Sequence, residues 1–327
     1  MTTPSDSTSD IPSGATSDTP LGTTAVIATT SGAGSPAAAD GSTAAPRPGT
    51  LRTRLRALRR NRLALTGAVI AAGFVLVALC APLIAPYDPA RPDFDAALAP
   101  PSWAHWLGTD DLGRDQLSRV IHGARASMQV GLLAVVLAFL VGVPLGLAAG
   151  FYGKYADSAV SRLTDTLLAF PFLVLAVGLA AVLGPSLLNA TIAIGISQVP
   201  AVIRIARAET LRLKHLDYVG AALVNGGGDA TALFRHILPN ATSALIVQAT
   251  VGIPTAIIGE ALLSFLGLGV QPPAPSLGVM LSGAQPFLGP APWMAVFPGL
   301  AIVAATLAFN LLGDGLRDVL DPRGATR

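Results

Sequence analysis

The chain has 327 residues, 52% of them apolar and only 12% charged, with a mean hydropathy of +0.60. A soluble domain carries about 25% charged residues, so the charge needed to solvate a globular surface is missing and lipid is the implied solvent. A net charge of +2 excludes the concentrated basic face of a nucleic-acid binder; one cysteine, Cys80, excludes an internal disulfide, and His105, His122, His215 and His236 show no metal-ligand spacing.

Residues 1–50 are rich in Ser, Thr, Ala, Pro and Gly and cannot bury enough apolar surface to offset their ordering entropy, so they are expected to form a disordered cytoplasmic tail. No charged n-region followed by an apolar h-region marks a signal peptide there. Next comes an arginine cluster (Arg52, Arg54, Arg56, Arg59, Arg60, Arg62), read as a topology determinant that meets anionic lipid headgroups. Crossing a bilayer takes about 20 apolar residues, and division of the charge-poor stretches by length and breakers predicts six spans, at 63–85, 130–151, 166–183, 187–205, 244–268 and 293–312. The third and fourth spans are cut apart at Leu183-Gly184-Pro185-Ser186. Pro144, Pro171, Pro200, Pro254 and Pro298, with Gly142, Gly146, Gly252 and Gly259, fall inside these spans as kinks and packing notches.

The expected fold is thus all-α and polytopic. It comprises an N-terminal region with the first span (51–105), an outer amphipathic segment (106–125), five further helices (126–314) and a C-terminal tail (315–327). With the N-terminus inside, seventeen of the 21 Lys and Arg residues fall on the inner side and four, Arg91, Arg114, Arg119 and Arg125, on the outer. The positive-inside bias then puts both termini in the cytoplasm.

The connection between spans four and five is too elaborate to be a plain linker. Asp217 is placed to cap a short helix over 218–225 that Gly226 ends in the left-handed conformation, and Asp229 to cap a second helix over 230–238 that Pro239 limits. Small residues line one arm and an apolar stripe, Leu233, Phe234 and Ile237, the other. A cytoplasmic helix-turn-helix knob of this shape suits insertion into a partner's groove.

Tyr218-Val219-Gly220-Ala221-Ala222, Gly226 and Arg235-His236-Ile237-Leu238-Pro239-Asn240 resemble the EAA loop of permease subunits in binding-protein-dependent ABC importers. Arg59-Arg60-Asn61-Arg62-Leu63-Ala64-Leu65, Leu107-Gly108-Thr109-Asp110-Asp111-Leu112-Gly113-Arg114-Asp115 and the stretch from Glu260 to Pro273 sharpen the similarity to the C-type subunit of the dipeptide, oligopeptide and nickel group. Gly220 stands where the motif has Glu, Gly227-Gly228 where Ala-Ser is usual, and Leu277 where Trp is common. The resemblance implies the transmembrane domain of a type I ABC importer. It also implies a coupling loop over 207–240 and the partners of such a system: a second permease, two cytoplasmic ATPase subunits and an extracytoplasmic substrate-binding protein. The candidate coupling residues are Asp217, Tyr218, Gly220, Ala221, Ala222, Gly226, Asp229, Phe234, His236 and Pro239.

Neither Lys154 nor Lys214 has phosphate-loop spacing, so ATP hydrolysis is expected in separate subunits, and no cofactor or metal is expected here. Glu260, the only acidic residue within a span, is open to three readings: a packing or loop-ordering hydrogen bond, a contact with a peptide's amino group, or a gating role. Peptide import is the leading function. Nickel or another small solute is the alternative within the group, and an ion-driven secondary transporter the alternative from another class. The latter calls for internal repeats and several intramembrane ionisable residues.

Overall fold

The computed structural model describes residues 62–320. The expected tail over 1–50, the arginines of 52–60 and residues 321–327 lie outside the described residues. Within them, apart from one isolated bridge between Thr109 and Asp115, all regular structure is helical. The helices are α1 (Arg62–Ile84), α2 (Gln116–Tyr152), α3 (Lys154–Leu168), α4 (Phe172–Leu183), α5 (Leu187–Leu213), α6 (Asp217–Val224), α7 (Asp229–Phe265), α8 (Leu277–Ala284) and α9 (Trp293–Leu320). Of these, α1, α2, α5, α7 and α9 are long and apolar enough to cross a membrane. Leucines and valines such as Leu79 and Leu83 on α1, Leu140 on α2 and Val303 on α9 point outward, as lipid-facing helices require.

Lipid provides no hydrophobic drive between helices, so close approach through small residues decides the packing. Gly142, Gly146 and Gly150, four residues apart on α2, lie against α5: Cβ atoms added there would sit 2.7 Å from Val202 Cβ, 2.6 Å from Ala206 Cβ and 2.6 Å from Thr210 Cβ. Because both numbers in each pair rise together, α2 and α5 run parallel. The chain between them must therefore return through the thickness of the bundle.

That return is made by α3 and α4, and it differs from the straight span expected over 166–183. The two helices meet at 89°, and α4 has 12 residues, about 18 Å against the roughly 30 Å of a hydrocarbon core. Pro171 lacks an N–H and disfavours helical geometry at Phe170, which breaks the rod at this point. α3 is polar along one side and is tied to α5 there. Arg207 donates through Nε to Asp157 Oδ1 and through Nη2 to Oδ2 at 2.8 Å, and Arg204 lies 3.5 Å from Asp165. α4 packs through Ala180 into the cluster of Ala190, Ala193 and Ile194.

The other passes alternate in direction. Gly252 and Gly259 of α7 face Gln198 and Ile194 of α5, Gly313 of α9 faces Thr250, and Gly67 and Ala64 of α1 face Leu312 and Gly315 of α9. The chain therefore makes six passes, the third broken, and the described ends at Arg62 and Leu320 lie on one side. Four bounds differ most from expectation: α2 starts at Gln116, α5 runs on to Leu213, α7 starts at Asp229, and α9 continues through Leu320 into the segment expected as a tail.

Candidate functional site

The knob between α5 and the body of α7 is built from two short arms. α6 opens after Leu216, whose backbone is extended, and Asp217 is its first residue rather than its cap; no side-chain capping bond forms. Asp229 likewise begins α7 without capping it, after Gly228. Both expected caps are thus corrected. Each carboxylate still sits in a first turn, where the helix dipole favours negative charge. Gly226 does take the left-handed backbone expected of it (φ +86°). Its N–H donates to the Leu223 carbonyl at 3.1 Å and that of Gly227 to Ala222 at 2.9 Å, the two bonds of a Schellman C-cap.

Pro239 does not end the second arm. Residues Ala232–Ile237 form a π-helical turn, in which the Leu238 N–H reaches the Leu233 carbonyl, and the helix runs on to Phe265. The proline has no N–H for the Arg235 carbonyl and its ring crowds that group; widening the turn before it removes the conflict without a break.

The predicted apolar stripe divides. Leu233 and Ile237 are buried with Val219, Ala232 and Ala241 against Leu147 of α2 and Ala206 and Leu213 of α5. Phe234 points away and is 62% exposed, with Val224 at 88% beside Leu216, Tyr218 and Leu223 as an outward apolar surface. Gly220 and Ala221 are exposed and Ala222 half-buried. Nothing lies within 4 Å of a Cβ added at Gly220, so the missing side chain is not excluded by the fold. The rings of Tyr218 and His236 lie 6.3 Å apart and bridge the arms, and burial pushes the Tyr218 phenol above its ordinary pKa. Lys214 donates to the Gly150 carbonyl at 2.8 Å, fixing the root of the knob to the end of α2.

At the opposite end of the bundle Glu260 is fully buried. Ser127 of α2 donates to Oε2 at 2.5 Å, Ser264 to Oε1 at 2.7 Å, and the Ser276 hydroxyl, at the start of α8, faces the same carboxylate. Ser264 also accepts the Val270 N–H at 3.1 Å, so one carboxylate links α2, α7 and the segment leading to α8.

Sequence reasoning missed a second polar assembly. Where 106–125 was expected as an amphipathic surface segment, helix begins only at Gln116, and Asp110, Asp115, Gln116, Ser118 and Arg119 are buried. Asp110 accepts from Arg114 Nε at 2.7 Å and pairs with Arg119 Nε at 3.2 Å. Asp115 caps α2 through Ser118 N–H at 2.8 Å and meets His105 Nδ1 at 3.0 Å. Gln116 and Trp293 then stitch this knot to the start of α9 through the Met294 and Thr109 carbonyls, each at 3.0 Å. A cavity of about 320 Å³ opens between the knot and residues 264–283. The available signal was Gly108 and Gly113, both at φ +75°, which mark a folded loop rather than a helix.

The family described as binding-protein-dependent transport system inner membrane component matches residues 142–325, and that described as the N-terminal TM domain of oligopeptide transport permease C matches 50–101. The dipeptide transport system permease protein DppC of Alkalihalophilus pseudofirmus is 46% identical over 272 residues, 83% of this chain and 90% of that protein. DppC of Haemophilus influenzae is 45% identical over 271 residues, 81% and 92%. The glutathione transport system permease protein GsiD of Pectobacterium atrosepticum is 44% identical over 279 residues, 84% and 93%. An inward-facing structure of the MetNI methionine ABC transporter superposes with a TM-score of 0.53 at 17% identity, over 63% of this chain and 97% of that one, and shares the fold. With six passes, a folded knob and these relatives, the chain belongs to the inner-membrane permease family of binding-protein-dependent ABC importers.

Proposed function

We propose that this chain is one of two permease subunits that form the pathway for di- or oligopeptides in an ATP-driven importer. ATP is hydrolysed by two separate cytoplasmic subunits, and cargo is delivered by an extracytoplasmic binding protein. The peptide cargo is supported by relatives named for dipeptide and di/tripeptide transport at about 45% identity over most of both chains. Both termini and the knob lie in the cytoplasm, in keeping with the seventeen-to-four distribution of Lys and Arg.

The observation that carries the coupling role is the division of the knob. Val219, Leu233 and Ile237 root it in α2 and α5, while Tyr218, Val224 and Phe234 are left outward, next to the exposed Gly220 and Ala221. A rooted knob with an open apolar surface suits transmission of a partner's movement, with Asp217, Ala222, Gly226, Asp229, His236 and Pro239 shaping it. Glu260 serves as an anchor for α8 rather than a cargo contact, since no part of it is accessible.

The test is uptake of a labelled dipeptide by vesicles holding the complete complex. Uptake that needs ATP and the binding protein is expected. Uptake driven by an ion gradient without ATP sinks the proposal.

A further inference from the structure

Among the described residues, one buried side-chain polar atom has no hydrogen-bond partner: Nε2 of Gln198, in a residue that is 8% exposed. Gln198 lies in α5 about 16 Å from the start of that helix at Leu187. A buried polar group left unpaired is rare in folded proteins and requires a reason. The room it occupies is provided by α7: a Cβ added at Gly252 would sit 2.9 Å from Gln198 Oε1 and 3.1 Å from Val135 of α2.

Helical geometry indicates where this seam opens. Successive residues turn by about 100°, so Ala201 stands about 60° from Gln198 on α5, and Thr255 about 60° from Gly252 on α7. Because the two helices are antiparallel, these offsets fall on the same side of the seam, and both residues are exposed. Val135 closes the other side. Pro200 and Pro254 each follow the contact pair by two residues and remove one backbone bond from their helices, so both are weakened at the level of the seam.

We propose that Gln198 is a cargo-contacting residue. Its carboxamide, folded into the α5–α7 seam here, turns onto the open Ala201 and Thr255 side in the other state of the transport cycle and pairs there with the peptide bonds of the cargo. A primary carboxamide offers both donors and an acceptor, and so matches the N–H and C=O of a peptide bond together. The inference rests on reading the chain as a peptide permease.

The experiment uses the complete complex in nanodiscs, with Cys80→Ser and Gln198→Cys in this chain and a water-soluble maleimide as probe. Modification of residue 198 is expected to differ at least ten-fold between the nucleotide-free complex and that trapped with ATP and vanadate, and dipeptide should slow it in the fast state. Equal rates in both states, or a fast state that dipeptide leaves unchanged, overturns the proposal. If the cysteine variant fails to assemble, Gln198→Leu carries the test: dipeptide uptake about ten-fold lower per assembled complex supports the contact, and wild-type uptake overturns it. A wild-type complex without ATP-driven peptide uptake defeats the function proposed above instead, so the two failures are distinct.

Discussion

Replacement of Glu260 by alanine should loosen the segment that carries α8 and lower the stability of the chain by about 3 kcal/mol. The carboxylate takes hydroxyl donors from Ser127 at 2.5 Å and Ser264 at 2.7 Å and faces Ser276, all four side chains being buried. Leaving a buried hydrogen-bonding group without its partner costs about 1–3 kcal/mol. Serines in helices can recover part of the loss by turning to the carbonyl four residues back, which brings two or three lost bonds down to the stated figure. Glu260→Gln keeps the shape and one acceptor oxygen but puts an NH2 donor where the second acceptor stood, so one serine hydroxyl must turn from donor to acceptor, and about 1 kcal/mol is expected. The assay is the denaturation midpoint of the purified complex together with protease cleavage between residues 265 and 290. Alanine should lower the midpoint and accelerate cleavage, with glutamine between alanine and wild type. An alanine variant with wild-type midpoint and cleavage refutes the anchor. So does equal loss of uptake in both variants without loss of stability, the pattern of a carboxylate that binds a peptide's amino group.

Gly146→Ala should destabilise the protein by about 2 kcal/mol, since its Cβ would meet Ala206 Cβ at 2.6 Å and the Ile203 carbonyl oxygen at 2.7 Å; adding Ala206→Gly relieves only the first contact and should recover part of the lost denaturation midpoint, and a single variant as stable as wild type contradicts the close α2–α5 packing. Val224→Asp and Phe234→Asp, on the outward surface of the knob, should reduce co-purification of the ATPase subunits about ten-fold while membrane insertion stays normal; unchanged association counts against the docking role. Gly220→Glu, where a side chain meets open space, should fold normally and retain at least wild-type ATPase association, and misfolding there would mean that the knob is packed differently. Gly226→Val should cost about 1–2 kcal/mol through its left-handed backbone, read as faster amide exchange in α6 than in α5; unaltered exchange is the contrary result.

Hydropathy and length were enough to mark the passes, because a lipid-facing helix must be apolar along its whole length, and five of the six stretches appear as single helices. The same measure carries no direction. The run 166–183 has the composition of a crossing, and only the parallel packing of α2 on α5, together with the backbone restrictions around Pro171, shows that it is bent. Gly226 was legible because a left-handed turn needs glycine whatever surrounds it. Asp217 and Asp229 were misread because an acid at a helix start serves as cap or as first-turn charge according to a shift of one residue. The stripe 233, 234 and 237 was read as one face, yet contacts with Leu147 and Leu213, distant in the chain, bury two of the three residues and leave Phe234 out. The segment 106–125 reads as an amphipathic surface because the charge of Arg114, Asp115 and Arg119 ordinarily marks exposure. Burial is possible because Arg114 and Arg119 share Asp110 and Asp115 meets His105, partners that only the folded loop before α2 brings to them.

The wide turn before Pro239 makes the second arm of the knob and the fifth pass a single lever. Phe234 stands eighteen residues from Gly252, about 27 Å along one helix, with no loop between them to absorb a displacement. A tilt of roughly 10° about Pro254 would carry the tip at Phe234 sideways by about 5 Å, more than the width of a methyl group, while Gly252, two residues from the pivot, would move by about 0.5 Å. A large movement at the tip would thus become a fine adjustment of the Gly252–Gln198 contact at the centre of the bundle.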